Sequence, residues 1–186
     1  LDVYVDDDQE EDNYYESQWG DSFEIETRVS EDIEGEIIYM EGETELGRAA
    51  IGEVFDLDSE DLGLGQHVIT AVFEGNESYN RATFVFTINV NKHIIWYTLE
   101  IDDVSYPNHA VGKFYGEDTD GLFTITINGT EYSVEFEWYD EGGTVSFDIN
   151  QLPIGTYTVS DIRYEDMEHY EFGESEIEGK NKLPTF

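Results

Sequence analysis

The stretch that decides the fold is FEGNESYNRATFVFTINV, residues Phe73–Val90. In its second half, apolar and polar side chains alternate. The apolar side chains that share one face are Phe84, Phe86, Ile88 and Val90. A period of two is that of a β-strand with one face in a core. The first half, residues 75–79, is a polar turn that ends on an aromatic residue, so the stretch predicts a turn followed by a half-buried strand.

The same alternation continues through most of the chain. Short alternating segments recur about every ten residues and are separated by Gly, Asp, Asn and Ser, and no helical apolar stripe of useful length interrupts them. Asn128-Gly129 lies between two such segments, and this pair favours a type I′ hairpin turn. The pattern therefore predicts an all-β protein built from sandwich domains.

A long repeat divides the chain in two. FDLDSEDLGLGQHVITAVFEGNESY (residues 55–79) matches FDINQLPIGTYTVSDIRYEDMEHY (residues 147–170), and Gly65 and Gly155 are 90 residues apart. This period predicts two domains, 1–92 and 93–186, joined closely end to end. The second copy has one extra residue before its aromatic turn, which predicts a β-bulge near Asp161–Arg163.

The spacing of the repeated residues resembles that of bacterial and archaeal immunoglobulin-like repeats. These occur in tandem in adhesin-like surface proteins, especially those of methanogenic archaea. The matching residues are Gly65, His67, Ile69, Ala71, Phe73, Gly75, Asn76 and Tyr79 in the first copy, and Gly155, Tyr157, Val159, Tyr164, Asp166 and Tyr170 in the second. The family's Asn-Gly-Thr turn matches residues 128–130 and is degraded in the first copy. The resemblance implies tandem immunoglobulin-like sandwiches at a cell surface.

Three positions of the repeat have expected structural roles in such a sandwich. Tyr157 stands where these domains keep a tyrosine that bonds back to the corner backbone, and His67 takes this place in the first copy. Val159 stands where antibody domains carry a cysteine. We therefore expect a structural role for His67 and an apolar contact between the sheets at Val159.

The composition limits the classes of partner. The chain has 45 acidic and 8 basic residues, a formal net charge of −37, and no cysteine. Such a surface repels nucleic acid and anionic lipid, and it is compatible with cationic partners, divalent ions or simple solvation. No apolar run approaches the ~20 residues of a membrane span, so no direct membrane insertion is expected. A cytosolic protein of a halophile would also be acidic, but such chains tend to prefer Ala and Val over Ile and Asn. Here isoleucine is frequent and alanine rare, so we interpret the acidity as a trait of surface proteins.

No pattern indicates catalysis or a cofactor. The four histidines are scattered, and no nucleophile, phosphate-binding or dinucleotide motif is present. Several acidic clusters resemble fragments of a calcium loop without a complete ligand set. These clusters are Glu117–Gly121 with Asp118 and Asp120, residues 56–61 with Asp56 and Asp58, and residues 6–12. We expect a non-catalytic chain with no cofactor and only weak, non-specific binding of divalent ions.

Two kinds of exposed site remain. Asn76 and Asn128 each begin an Asn-x-Ser/Thr sequon in a turn, which makes them candidates for glycosylation, although Asn is also a good turn residue. Trp138 and Tyr139, at a strand end, are candidate ligand-contact aromatics. A second aromatic group is Tyr14, Tyr15 and Trp19. For both groups, packing in the core or at its rim is favoured over a sugar-stacking patch.

The sequence therefore predicts a non-catalytic segment of an extracellular, adhesin-like surface protein. Its role would be that of a stalk or of a module that presents ligand-binding loops in cell adhesion. The expected partners are an unknown protein or glycan on another cell surface and neighbouring repeats of the same chain. Binding would lie in loops at one pole of a sandwich. The alternative is a carbohydrate-binding module of a secreted carbohydrate-active protein.

Overall fold

The computed structural model describes residues 1–10, 12–29, 33–102, 109–115, 120–137, 143–148 and 159–173. Its contacts divide the chain into two compact units, Leu1–Lys92 and His93–Phe186. The described part of each unit contains two β-sheets. That each unit is an independent domain remains a prediction.

The first unit contains eight strands and one short helix within its described residues. These are β1 (Asp2–Val5), β2 (Tyr14–Gln18), β3 (Ser22–Arg28), β4 (Glu36–Glu41), β5 (Thr44–Ala50), β6 (Val54–Asp58), α1 (Ser59–Leu62), β7 (Gly65–Phe73) and β8 (Ala82–Asn91). One sheet has the strand order β1-β3-β6 and the other β2-β8-β7-β4-β5. All pairs are antiparallel except β2 and β8, which are parallel.

The two sheets of the first unit share one apolar core. The strands β1, β3, β4, β7 and β8 bury alternate residues in it, which is the outcome that a period of two predicts, and β2 and β6 each bury one. The fully buried members include Val3, Ile25, Ile37, Ile69 and Ile88. The outward residues of the same strands are mostly polar or charged, with Val54, Val68 and Val85 as exposed apolar exceptions. Burial of one face sets the register of each strand.

Tyr39 on β4 links the two sheets. Its side chain is fully buried, and its ring stacks on Phe55 of β6 with the ring centroids 4.6 Å apart. Its hydroxyl group shares a buried hydrogen bond of 3.0 Å with the hydroxyl group of Thr27 on β3. A Cβ atom at Gly47 of β5 would lie 2.3 Å from the Phe55 ring, so only glycine fits beneath that ring.

The second unit repeats this plan with seven described strands. These are β9 (His93–Asp102), β10 (His109–Tyr115), β11 (Gly121–Ile127), β12 (Thr130–Phe136), β13 (Gly143–Asp148), β14 (Val159–Tyr164) and β15 (Tyr170–Phe172). The strand orders are β13-β10-β9-β15 and β12-β11-β14. Phe123 of β11 contacts three aromatic rings of its unit, Phe136, Tyr164 and Phe172, and the last of these lies in the opposite sheet.

The architecture confirms the predicted all-β, immunoglobulin-like class. The type I′ turn is also confirmed, since Asn128 and Gly129 have φ values of 50° and 76° and join β11 to β12 directly. The bulge is present, but its extra residue is Ser160, because Thr126 pairs with Asp161 and Ile127 with Val159. This position is one residue before the predicted range.

Among the described residues, no helix has the length and apolar character needed to cross a bilayer.

The hairpin of the first copy is better preserved than its sequence indicates. Glu41 pairs with Thr44, so β4 and β5 are also joined by two residues, with φ of 59° at Gly42. The sequence pattern predicts one strand over AIGEVFDLD, residues 50–58. In the structure this segment is interrupted at residues 51–53, where Gly52 has φ of 81°. Glycine at a positive φ carries no steric penalty, and this allows the turn between β5 and β6.

We expect Tyr39→Phe to destabilise the first unit by about 1–2 kcal/mol, because it leaves the buried Thr27 hydroxyl group without its partner. The double variant Thr27→Val/Tyr39→Phe removes both polar groups and should recover most of the loss. Denaturant unfolding of the three proteins measures the difference. Equal stability of Tyr39→Phe and the parent chain would contradict the role of this hydrogen bond.

Stability should fall at alkaline pH through Tyr164. Burial, with the nearby Tyr170 and Glu165, raises the pKa of Tyr164 to about 12. Since an unfolded tyrosine ionises near pH ~10, the unfolded state loses its proton first, and the free energy of unfolding decreases between about pH 10 and about pH 12. Denaturant unfolding across this range should show a smaller decrease for Tyr164→Phe. An identical decrease in both proteins would be evidence against this assignment.

Candidate functional site

The turn between β7 and β8 is tightly built. The side-chain Oδ1 of Asn76 accepts hydrogen bonds from the backbone N–H groups of Ser78 and Tyr79, both at 2.9 Å, and the Asn76 N–H donates to the Tyr79 carbonyl oxygen. Gly75 has φ of 89°, and a Cβ atom there would lie 2.8 Å from the backbone nitrogen of Arg81. These contacts hold the turn in one conformation.

A shallow depression lies beside this turn. The Asn76 side-chain nitrogen donates to the carbonyl oxygen of Glu34 at 3.4 Å, which joins the turn to the segment that precedes β4. The depression has a volume of about 430 Å³ and is open to solvent. It is lined by Ile33, Glu34, Asn76, Glu77, Ser78 and Tyr79. We call this surface the loop pole. It is a group of loops at one end of a sandwich, and its binding of a ligand remains a prediction.

His67 lies near the start of β7, at the end opposite to this turn, and its side chain contacts two neighbouring groups. Its Nε2 atom lies 3.0 Å from the carbonyl oxygen of Gly63, four residues upstream, and its Nδ1 atom lies 2.8 Å from a carboxylate oxygen of Glu41. Bonding back to the upstream backbone is the function of the corner tyrosine in related sandwiches. The structural role predicted for His67 is therefore confirmed.

The described part of an acidic segment, residues 6–10 and 12–13, lies between β1 of one sheet and β2 of the other. Several of its carboxylates bind nearby groups of the chain. Asp6 Oδ1 accepts from the backbone N–H of Glu24 at 2.8 Å, and Asp7 pairs with Arg28 at 3.1 Å. A cleft of about 480 Å³ lies along this segment. In the described parts of the chain, no three His, Asp or Glu side chains group in a way that could hold a metal ion.

The other predicted acidic clusters are placed only in part. Asp56 and Asp58 lie on the exposed face of β6, and Asp58 Oδ1 accepts from the Ser22 hydroxyl group at 2.6 Å. The backbone carbonyl oxygen of Asp120 accepts from the Tyr164 hydroxyl group at 2.8 Å. Asp118 and its neighbour at position 117 lie outside the described residues.

The aromatic candidates separate into two groups. Trp138 and Tyr139 lie outside the described residues. Tyr15 is buried, and its ring meets Phe86 edge-on with the centroids 6.3 Å apart. Burial raises the pKa of Tyr15, and Trp19 is partly buried against the same core. Core packing, the interpretation that the sequence favours, therefore accounts for Tyr15 and Trp19, whereas Tyr14 lines the cleft beside the acidic segment.

The fold defines the class of the protein as a chain of immunoglobulin-like sandwich units. Comparison with known proteins does not assign it to a narrower class. No protein family matches the chain, and no curated protein matches it. Solved fibronectin(III)-like modules of Clostridium thermocellum CbhA align over 90% of this chain and 87% of theirs, with 11% identity and a TM-score of 0.35. A Parabacteroides merdae β-glucuronidase aligns over 88% of this chain and 23% of its own, with 11% identity and a TM-score of 0.29. Such values carry no statement about function.

We expect Asn76→Ala to destabilise the first unit by about 1–2 kcal/mol, because two backbone N–H groups lose their acceptor. Asn76→Asp keeps the acceptor oxygen but loses the donation to Glu34, so it should lose less stability than Asn76→Ala. Asn80→Ala, at an exposed position in the same segment, is the matched control and should change stability by less than about 0.5 kcal/mol. Denaturant unfolding measures all three. Loss of stability in Asn76→Asp equal to that in Asn76→Ala would contradict this account of the turn.

Proposed function

We propose that the chain is a non-catalytic segment of an extracellular, adhesin-like surface protein and that it presents ligand-binding loops in cell adhesion. The observation that carries this proposal is the loop pole of the first unit. There, a turn fixed by Asn76 and Gly75 stands on two long strands and borders an open depression. Loops on a rigid sandwich tolerate variation while the sheets stay fixed, which suits ligand presentation.

The side chains at the loop pole include aromatic, hydroxyl and carboxylate groups. Tyr79 exposes 37% of its surface, and Glu77 and Ser78 are exposed beside it. An aromatic ring next to a hydroxyl group and a carboxylate suits contact with a sugar or with a polar peptide surface. Aromatic residues in such positions commonly supply most of the binding energy of an interface.

The acidic surface supports a role in a crowded environment. The arginines in the described residues are paired with carboxylates, as in the contacts of Arg48 with Glu36 and Glu45 and of Arg163 with Asp161. The remaining acidic side chains leave a strongly negative surface. Like-charged chains repel one another, and this keeps neighbouring copies apart and soluble.

A binding assay with matched variants tests the proposal. The chain is coupled to beads and measured against intact cells and an array of immobilised glycans. Tyr79→Ala should weaken binding by about tenfold or more, because it removes the aromatic contact of the loop pole. Leu64→Ala is the control, since Leu64 is 36% exposed and lies beyond the opposite end of β7.

Three outcomes would overturn ligand presentation at the loop pole. Binding that is equal in Tyr79→Ala and the parent chain places the ligand elsewhere. Selective glycan binding that is lost in Trp138→Ala favours a carbohydrate-binding module. No binding to any cell or glycan leaves only the role of a spacer.

A further inference from the structure

The two glycosylation sequons differ in what their asparagine side chains already bind. Asn76 uses both ends of its amide. Its oxygen accepts two backbone hydrogen bonds at 2.9 Å, and its nitrogen donates to the carbonyl oxygen of Glu34 at 3.4 Å. Transfer of a sugar to this nitrogen requires the amide to leave the turn that it holds together.

The second unit shows what the turn needs at this position. In the turn between β14 and β15, Asp166 has the corresponding role, because its Oδ1 accepts from the backbone N–H of His169, three residues on, at 3.2 Å. Asn76 Oδ1 accepts from Tyr79 in the same way. A carboxylate has no amide nitrogen and cannot accept an N-linked glycan. The shared requirement is an oxygen that accepts backbone hydrogen bonds, and this requirement explains Asn76 without any modification.

Asn128 is in a different situation. It is exposed at the tip of the β11–β12 hairpin, in a turn of only two residues. Within the described residues, no hydrogen bond involves its side chain or the hydroxyl group of Thr130, the third residue of the sequon. The hydrogen bonds that hold the Asn76 side chain have no counterpart at Asn128. The side-chain amide of Asn128 is therefore available to an enzyme.

We propose that Asn128, and not Asn76, is the acceptor of an N-linked glycan. The donor class is a lipid-diphosphate-linked oligosaccharide, which an oligosaccharyltransferase delivers. The bond from Asn128 Nδ2 to the sugar C1 atom forms, and the bond from C1 to the diphosphate oxygen breaks. The lipid diphosphate leaves with the electron pair, and the amide proton passes to a base of the transferase.

A glycan at Asn128 would also protect a sheet edge. Among the described strands, β12 lies at the edge of its sheet, where unpaired backbone groups can recruit another strand. Since Asn128 comes two residues before β12, a sugar there would stand at the start of this edge and obstruct strand addition. Modification in the cell rests on the proposed function, because it requires an extracellular chain.

The test uses the folded chain of 186 residues with a purified oligosaccharyltransferase that requires only the Asn-x-Ser/Thr sequon, and with its lipid-linked donor. Peptide mass spectrometry follows each site over time. Modification of Asn128 should be at least about tenfold faster than that of Asn76, because reaction at Asn76 requires the turn to open. Asn128→Gln should abolish the fast reaction, and Asn76→Gln should leave it unchanged.

Synthetic peptides that span each sequon are the control for local sequence, and both should be modified at similar rates. A folded chain modified equally at both sites overturns the proposal, as does a chain unmodified at Asn128 while its peptide reacts. This selectivity belongs to the folded chain and not to its location. A failure of the surface assignment would therefore leave the result in place.

Discussion

The structure of the first unit depends on one buried contact between its sheets. The chain has no cysteine, so no covalent bond can hold the sheets together. Tyr39 takes this role with a hydrogen bond to Thr27 and a stacked contact with Phe55. Phe55 in turn lies over Gly47, which brings the edge strand β5 close to β6. A buried hydroxyl group must find its partner, so this pair selects one alignment of the sheets where purely apolar contacts would tolerate several.

In the second unit, other residues make the contact between the two sheets. Tyr39 pairs with Ala71, two residues before the end of β7. The corresponding residue of the second unit is Ile125, which pairs with Ile162, two residues before the end of β14. An isoleucine cannot bond across the sheets, and the aromatic cluster around Phe123 fills the space between them instead. The repeat therefore preserves the period of burial and the two-residue length of the β4–β5 and β11–β12 hairpins, while the chemistry of the core has diverged.

Much of this fold could be predicted from the sequence, because β7, β8, β11 and β12 alternate clearly and end in turn residues. The strands β1 and β2 could not, since each has only four or five residues and they flank an acidic run that obscures their period. The sequence predicts that binding lies in loops at one pole of a sandwich, but it does not identify the residues that meet there. In the loop pole, Glu34 contacts a turn that is more than 40 residues later in the chain. Pairwise contacts of that range depend on the packing of the sheets, and a local pattern carries no information about them. Asn76 and Asn128 are equivalent as motifs and differ only in their hydrogen bonds.

The parallel pairing of β2 with β8 has a mechanical consequence. Tyr14–Gln18, near the start of the first unit, runs alongside Thr87–Asn91, at its end. When the two ends of this unit are pulled apart, these strands are drawn along each other in opposite directions, so the hydrogen bonds of the ladder are loaded together and in shear. An antiparallel hairpin pulled at its open end would release its bonds one after another. The five-residue ladder therefore acts as a clamp under tension, and the unit can transmit force through its sheet while its core remains closed.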